Sequence, residues 1–125
     1  KDKRQIQFAG ANNPLYILRD ESILQVKANR FAIGRPVKGK VIGFTNNIIE
    51  VQKNDVFYIF SDGYADQLKG TDGEKFLYSR FRALLSQLGN KEMKQQYQAL
   101  DENFEAWKGS GEQTDDVMVI GFKVV

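Results

Sequence analysis

Two acidic clusters carry the chemistry this sequence could perform. The first is Ser61-Asp62-Gly63-Tyr64-Ala65-Asp66, set immediately after the apolar run Val56-Phe57-Tyr58-Ile59-Phe60. A carboxylate at the end of a buried strand sits on a rigid element and can face a cleft, and a glycine behind it lets the chain turn sharply. The second is Gln113-Thr114-Asp115-Asp116, directly before the apolar run that closes the sequence. Adjacent carboxylates repel, so a cation is their natural compensator when both become partly buried. Taken singly, an Asp-Gly is more often a turn and an Asp-Asp more often an exposed acidic loop. Together they say more, because two aspartates at the mouths of two strands can converge if those strands are neighbours in the sheet. Hard divalent cations such as Mg²⁺ or Mn²⁺ prefer oxygen ligands and keep several waters, so a few carboxylates suffice. Two bridged ions would lower the pKa of a shared water and make hydroxide the nucleophile.

Composition removes the competing chemistries. The 125 residues contain no cysteine and no histidine. Disulfide frameworks, thiolate zinc sites, thiol nucleophiles, imidazole bases and the Ser-His-Asp triad are therefore excluded. Hydrophobic residues at 42% and charged residues at 27% describe a folding chain rather than a disordered one. The length suits one domain. The formal charge is +2, yet residues 1–40 hold nine Lys and Arg against three Asp and Glu, and residues 41–125 hold nine against thirteen. Both acidic clusters lie in the second, negative part. No apolar run is long enough to span a membrane, no leader is visible, and a cytoplasmic location is expected. The short basic arm Lys1, Lys3, Arg4 is too small for a nucleic-acid surface, so no nucleic-acid partner is expected.

The elements that must position the clusters follow from periodicity. Ile6 and Phe8 alternate with polar neighbours, and Leu15-Tyr16-Ile17-Leu18 follows the Asn12-Asn13-Pro14 turn. Arg19-Asp20-Glu21 reads as a tight turn into Ile23-Leu24-Gln25-Val26, a hairpin. A Gly-rich connection from Gly34 to Gly43 leads to Ile48-Ile49-Glu50-Val51, a turn at Lys53-Asn54-Asp55, and the run Val56–Phe60, expected as a central strand buried on both faces. Tyr78, Phe81, Leu84, Leu85 and Leu88 then recur at helical spacing, with Gly89 as a stop and Asn90 as an N-cap for a second helix. That helix is expected to bury Met93, Tyr97, Leu100, Phe104 and Trp107. A closing strand is expected over 117–124. Strands first, then a helix pair, then a returning strand define an α+β architecture with the helices packed on a sheet or sandwich.

The same residues carry a family resemblance. Phe57 through Gln67, centred on Ser61-Asp62-Gly63-Tyr64-Ala65-Asp66, resembles the strand-Asp-Gly motif of PPM-type metal-dependent protein phosphatases, in their bacterial SpoIIE/RsbU branch. Gln113-Thr114-Asp115-Asp116-Val117-Met118-Val119-Ile120 resembles the closing Asp-Asp motif of that branch. Phe8-Ala9-Gly10-Ala11-Asn12-Asn13-Pro14-Leu15-Tyr16 is similar to its Ala-Gly-His-x-x-Pro element, with Ala11 in the histidine's place, and Ile33-Gly34 fits too. The resemblance implies a sandwich of antiparallel sheets flanked by helices. It implies hydrolysis of phosphoserine or phosphothreonine by hydroxide activated between two Mn²⁺ or Mg²⁺ ions. Asp62 and Asp115 take the positions of metal ligands and catalytic residues. Gly63, Asp116 and Tyr64 flank the cleft, and Arg35 is a candidate contact for the substrate phosphate.

One departure sets the domain expectation. The family carries further acidic ligands in an earlier Asp-Gly segment, whereas here Asp2 is the only acid before Asp20. Residues 1–125 are therefore expected to be a single, C-terminal portion of such a domain, weakly active or inactive alone, and to hold a divalent ion loosely if at all. The implied partners are a phosphorylated regulatory protein of the anti-sigma-factor-antagonist type and an upstream sensor or receiver domain in the parent chain. Open sheet edges predict a homodimer. The alternative is a non-catalytic protein-binding module of the same fold.

Overall fold

The computed structural model describes residues 3–34 and 43–125. Its elements run β1 (Gln5–Phe8), β2 (Leu15–Arg19), β3 (Ser22–Val26), β4 (Asn47–Glu50), β5 (Val56–Phe60), α1 (Gly63–Asp66), α2 (Tyr78–Leu88), α3 (Met93–Lys108) and β6 (Val119–Lys123). The α+β order expected from the sequence is present. The strands form a four-stranded antiparallel sheet, β3-β2-β5-β6, and a two-stranded sheet, β1-β4. The β2–β3 hairpin closes through Asp20 and Glu21, both at positive φ, with Arg19 opposite Ser22. That two-residue left-handed turn matches the twist of the strands it joins.

Alternation divides the core in two. On one face of the larger sheet, Tyr16, Leu18, Val56, Tyr58 and Phe60 pack against Phe81, Leu84, Leu85 and Leu88 of α2 and Phe104 of α3. On the other face Leu15, Ile17 and Phe57 meet Ile6, Phe8 and Ile49 from the small sheet. β5 is interior as expected, but Ile59 remains 37% exposed. The small sheet covers the β2 side of that face and leaves Ile59, with Ile120 and Phe122 of β6, facing outward.

Two details of the helix pair differ from the sequence reading. The cap of α3 is Glu92, not Asn90. It forms a capping box with Gln95, whose Oε1 accepts the Glu92 amide at 3.3 Å. The buried face of α3 carries Gln96 where Tyr97 was expected, and Tyr97 is 74% exposed. The reason is polar: Tyr58 in the sheet donates its hydroxyl to Gln96 Oε1 at 2.6 Å, and Gln96 Nε2 donates to the Lys91 carbonyl at 3.0 Å. Burial pushes the Tyr58 hydroxyl up to about 12, so it serves as a donor throughout the neutral range. A buried hydroxyl needs a partner more than the core needs another ring.

Candidate functional site

The first acidic cluster leaves the sheet where β5 ends. Asp62 takes a helical backbone conformation (φ −73°, ψ −13°) and starts the single turn α1, its side chain making no capping hydrogen bond. Gly63, Tyr64 and Ala65 are buried beneath it, while Asp62 itself is exposed. β5 pairs with β6, Phe60 opposite Val119, so the second cluster arrives at the same end of the sheet.

The two loops touch. A Cβ built on Gly63 would collide with the carbonyl of Asp116 and crowd Val117, so only glycine permits this approach. Asp62 and Asp115 are each one residue from that contact. Ser61 Oγ donates to the Asp116 carbonyl at 3.0 Å and accepts the Met118 amide at 3.0 Å, while the Ser61 amide donates to the Met118 carbonyl at 3.0 Å. Sheet pairing thus gives way at 118 to side-chain bonds, and β6 begins at Val119 rather than at the expected 117.

A second anchor lies on the other flank of the loop. Gln67, directly after α1, has 0% exposure. Its Nε2 donates to the Glu112 carbonyl at 2.9 Å and to the Leu68 carbonyl at 3.0 Å, and its Oε1 accepts the Thr114 amide at 3.2 Å. Trp107 Nε1 donates to the Gln67 carbonyl at 3.0 Å, tying α3 to the same point.

Asp62, Asp115 and Asp116 are exposed and, among the described residues, none is in an ion pair, whereas Asp66 meets Lys75 at 3.4 Å. Asp115 Oδ1 accepts the Asp116 amide at 2.7 Å. This donor set fits a hard divalent cation in kind: exposed carboxylates free, among the described residues, of paired Lys or Arg. In number it falls short. Among the described residues no group of three or more His, Cys, Asp or Glu side chains is gathered to hold an ion. The carboxylates therefore fit as part of a ligand set.

Other candidates fall elsewhere. Tyr64, expected beside the cleft entrance, points into the core: it is buried, meets Phe76 edge-on and Phe81 and Phe104 at tilted angles, and donates its hydroxyl to the Leu100 carbonyl at 2.7 Å. The α1 turn swings its side chain inward, which an Asp-Gly-Tyr string does not disclose. Arg35 lies outside the described residues. Tyr78, read from sequence only as a helix core position, is half-buried near the site. Burial, then the charges of Asp62 and Asp66, hold its hydroxyl above the usual tyrosine range. Ser61 and Gln67 were also missed as site residues. Their one signal was position, since both flank the Asp62 turn.

Comparison with known proteins fits this arrangement. The family model described as Stage II sporulation protein E (SpoIIE) matches residues 1–125, and the chain belongs to that family. No curated protein matches the chain. Among solved structures, the SiaA-PP2C domain of Pseudomonas aeruginosa is 28% identical with a TM-score of 0.86, over 98% of this chain and 47% of that one. The phosphatase domain of SpoIIE from Bacillus subtilis (Mn presoaked) is 17% identical with a TM-score of 0.68, over 98% of this chain and 51% of that one. The RsbU and RsbW domains of a Mycobacterium tuberculosis protein are 18% identical with a TM-score of 0.65, over 98% of this chain and 33% of that one. The chain thus has the fold of a PP2C-type phosphatase domain and spans about half the length of the SiaA and SpoIIE structures. Among the described residues no helix is long and apolar enough to cross a membrane.

Proposed function

We propose that these residues form part of the catalytic domain of a metal-dependent protein serine/threonine phosphatase, with Asp62 and Asp115 as metal ligands. The observation that supports this reading most is the contact of Gly63 with the Asp116 carbonyl, which brings two unpaired aspartates together at one sheet end. Mn²⁺ or Mg²⁺, when bound, supplies Lewis-acid activation of water and neutralises phosphate charge. The chain's own residues do the holding. Asp62 is presented by the β5 end, Asp115 by the loop before β6, and Asp116 directs its backbone to Gly63 and Ser61. Further acidic ligands come from the part of such a domain that these 125 residues do not cover. The proposed substrate is phosphoserine or phosphothreonine in a regulatory protein of the anti-sigma-factor-antagonist type, with control by a sensor or receiver region elsewhere in the parent chain.

The test is Mn²⁺-dependent hydrolysis of a small aryl phosphate by the full natural chain that carries these residues. Asp62→Asn is expected to lower the rate about a hundredfold or more, beyond what loss of an outer-shell partner costs. An unchanged rate in that variant contradicts the reading. A natural chain inert at every Mn²⁺ concentration points instead to a binding module of the same fold.

A further inference from the structure

We propose that Gln67 and Ser61 are positioning residues that set Asp115 against Asp62, clamping the 112–118 loop from its two flanks. The inference rests on the phosphatase reading above and deepens it. It assigns a role to two polar groups that the proposed chemistry does not itself use.

The loop between α3 and β6 carries Asp115 among exposed neighbours, and among the described residues Asp115 bonds only within the loop, to the Asp116 amide and the Gln113 side chain. Val117, half-buried against the core, is the loop's apolar contact, and its polar anchors come from the Asp62 side. Gln67 is fully buried, and a buried amide must find partners for its donors and its acceptor. Three of its four bonds go to the loop: to the Glu112 carbonyl at 2.9 Å, and from the Thr114 amide at 3.2 Å and hydroxyl at 3.5 Å. Ser61 holds the other flank through the Asp116 carbonyl and the Met118 amide, both at 3.0 Å. Asp115 thus lies between Thr114 and Asp116, each bonded to a side chain within five residues of Asp62. A shift of either anchor would move one carboxylate relative to the other. Ligand pairs tolerate little such displacement, because groups that touch an ion must be held by their supporting contacts.

The experiment uses the full natural chain and two readouts: amide hydrogen exchange at Thr114 and Met118 without metal, and the Mn²⁺ dissociation constant by titration calorimetry. Ser61→Thr and Ser61→Val differ chiefly in the hydroxyl. The valine variant is expected to lose protection at Met118 and to bind Mn²⁺ about tenfold more weakly, the low end of what outer-shell partners cost. The threonine variant is expected to keep both properties. Gln67→Met, like the valine variant, is expected to lose protection, here at Thr114, and to bind Mn²⁺ about tenfold more weakly. Should Gln67→Met fail to fold, the Ser61 pair decides alone. Equal protection and equal Mn²⁺ affinity in the Thr and Val variants overturn the clamp. Wild-type protein that binds no Mn²⁺ overturns the phosphatase reading instead, and the exchange data then report on the clamp separately.

Discussion

Ser61 Oγ donates a hydrogen bond to the carbonyl of Asp116 at 3.0 Å, joining residues fifty-five positions apart at the end of the β5–β6 pair. Asp62 follows the first and Asp115 precedes the second, so one bond spans the two acidic clusters. Its neighbour, the contact of Gly63 with the same carbonyl, leaves no room for a side chain.

Gly63→Ala should therefore be costly. The added methyl must displace the Asp116 carbonyl or shift α1, and overpacking of this kind costs about 1–3 kcal/mol. Urea denaturation should show the loss, with Mn²⁺ affinity falling in parallel as the two aspartates separate. An alanine variant of unchanged stability would mean that the loops are not packed as described.

Stability at acid pH should depend on Asp55. Its carboxylate is 1% exposed and takes a paired grip from Arg19, whose Nε and Nη2 donate at 2.9 and 2.7 Å. The Arg19 hydrogen bonds, the Gln52 amide and the Arg19 charge together outweigh burial and hold Asp55 below the usual carboxylate range. A depressed folded pKa stabilises the fold above the unfolded pKa, near 4, and that contribution is lost as pH falls through the folded value. Wild-type stability should drop as pH falls below about 4, and Asp55→Asn should flatten that limb. At neutral pH Asp55→Ala should cost about 3 kcal/mol, the low end for a broken buried pair because Arg19 keeps some contact with water. Equal acid limbs in wild type and Asp55→Asn would contradict this.

The α3 face gives a contrast between two aromatic positions. Tyr97→Ser should change stability by less than about 0.5 kcal/mol, as for an exposed site, whereas Phe104→Ala should cost about 3–5 kcal/mol. Thermal melts of the two variants check this, and a large loss in Tyr97→Ser would restore the face expected from hydropathy.

Legibility in the sequence followed the kind of force involved. The apolar run Val56–Phe60 and the spacing Phe81, Leu84, Leu85, Leu88 announce a central strand and a core helix because burial there is apolar and periodic. The turn at Asp20-Glu21 was legible from its length between two apolar runs. Gln96 was not, since a helical pattern counts Tyr97 as apolar and cannot know that Tyr58 across the sheet needs an acceptor. Glu92 displaced Asn90 as the cap through its reciprocal bond with Gln95, a pairing visible only as Glu-x-x-Gln. At the site, the aspartates were legible by their place at strand ends. Their supports were not, because Ser61 and Gln67 act through backbone groups some fifty residues away.

The central claim is that Asp62 and Asp115 serve one centre. It is tested most directly by a double-mutant cycle on Mn²⁺-dependent aryl phosphate hydrolysis in the full natural chain, using Asp62→Asn, Asp115→Asn and the double variant. Residues that act as a unit are strongly non-additive, so each single variant should lose nearly all activity and the double variant little more. Single variants that retain activity, or losses that simply multiply in the double variant, would contradict it.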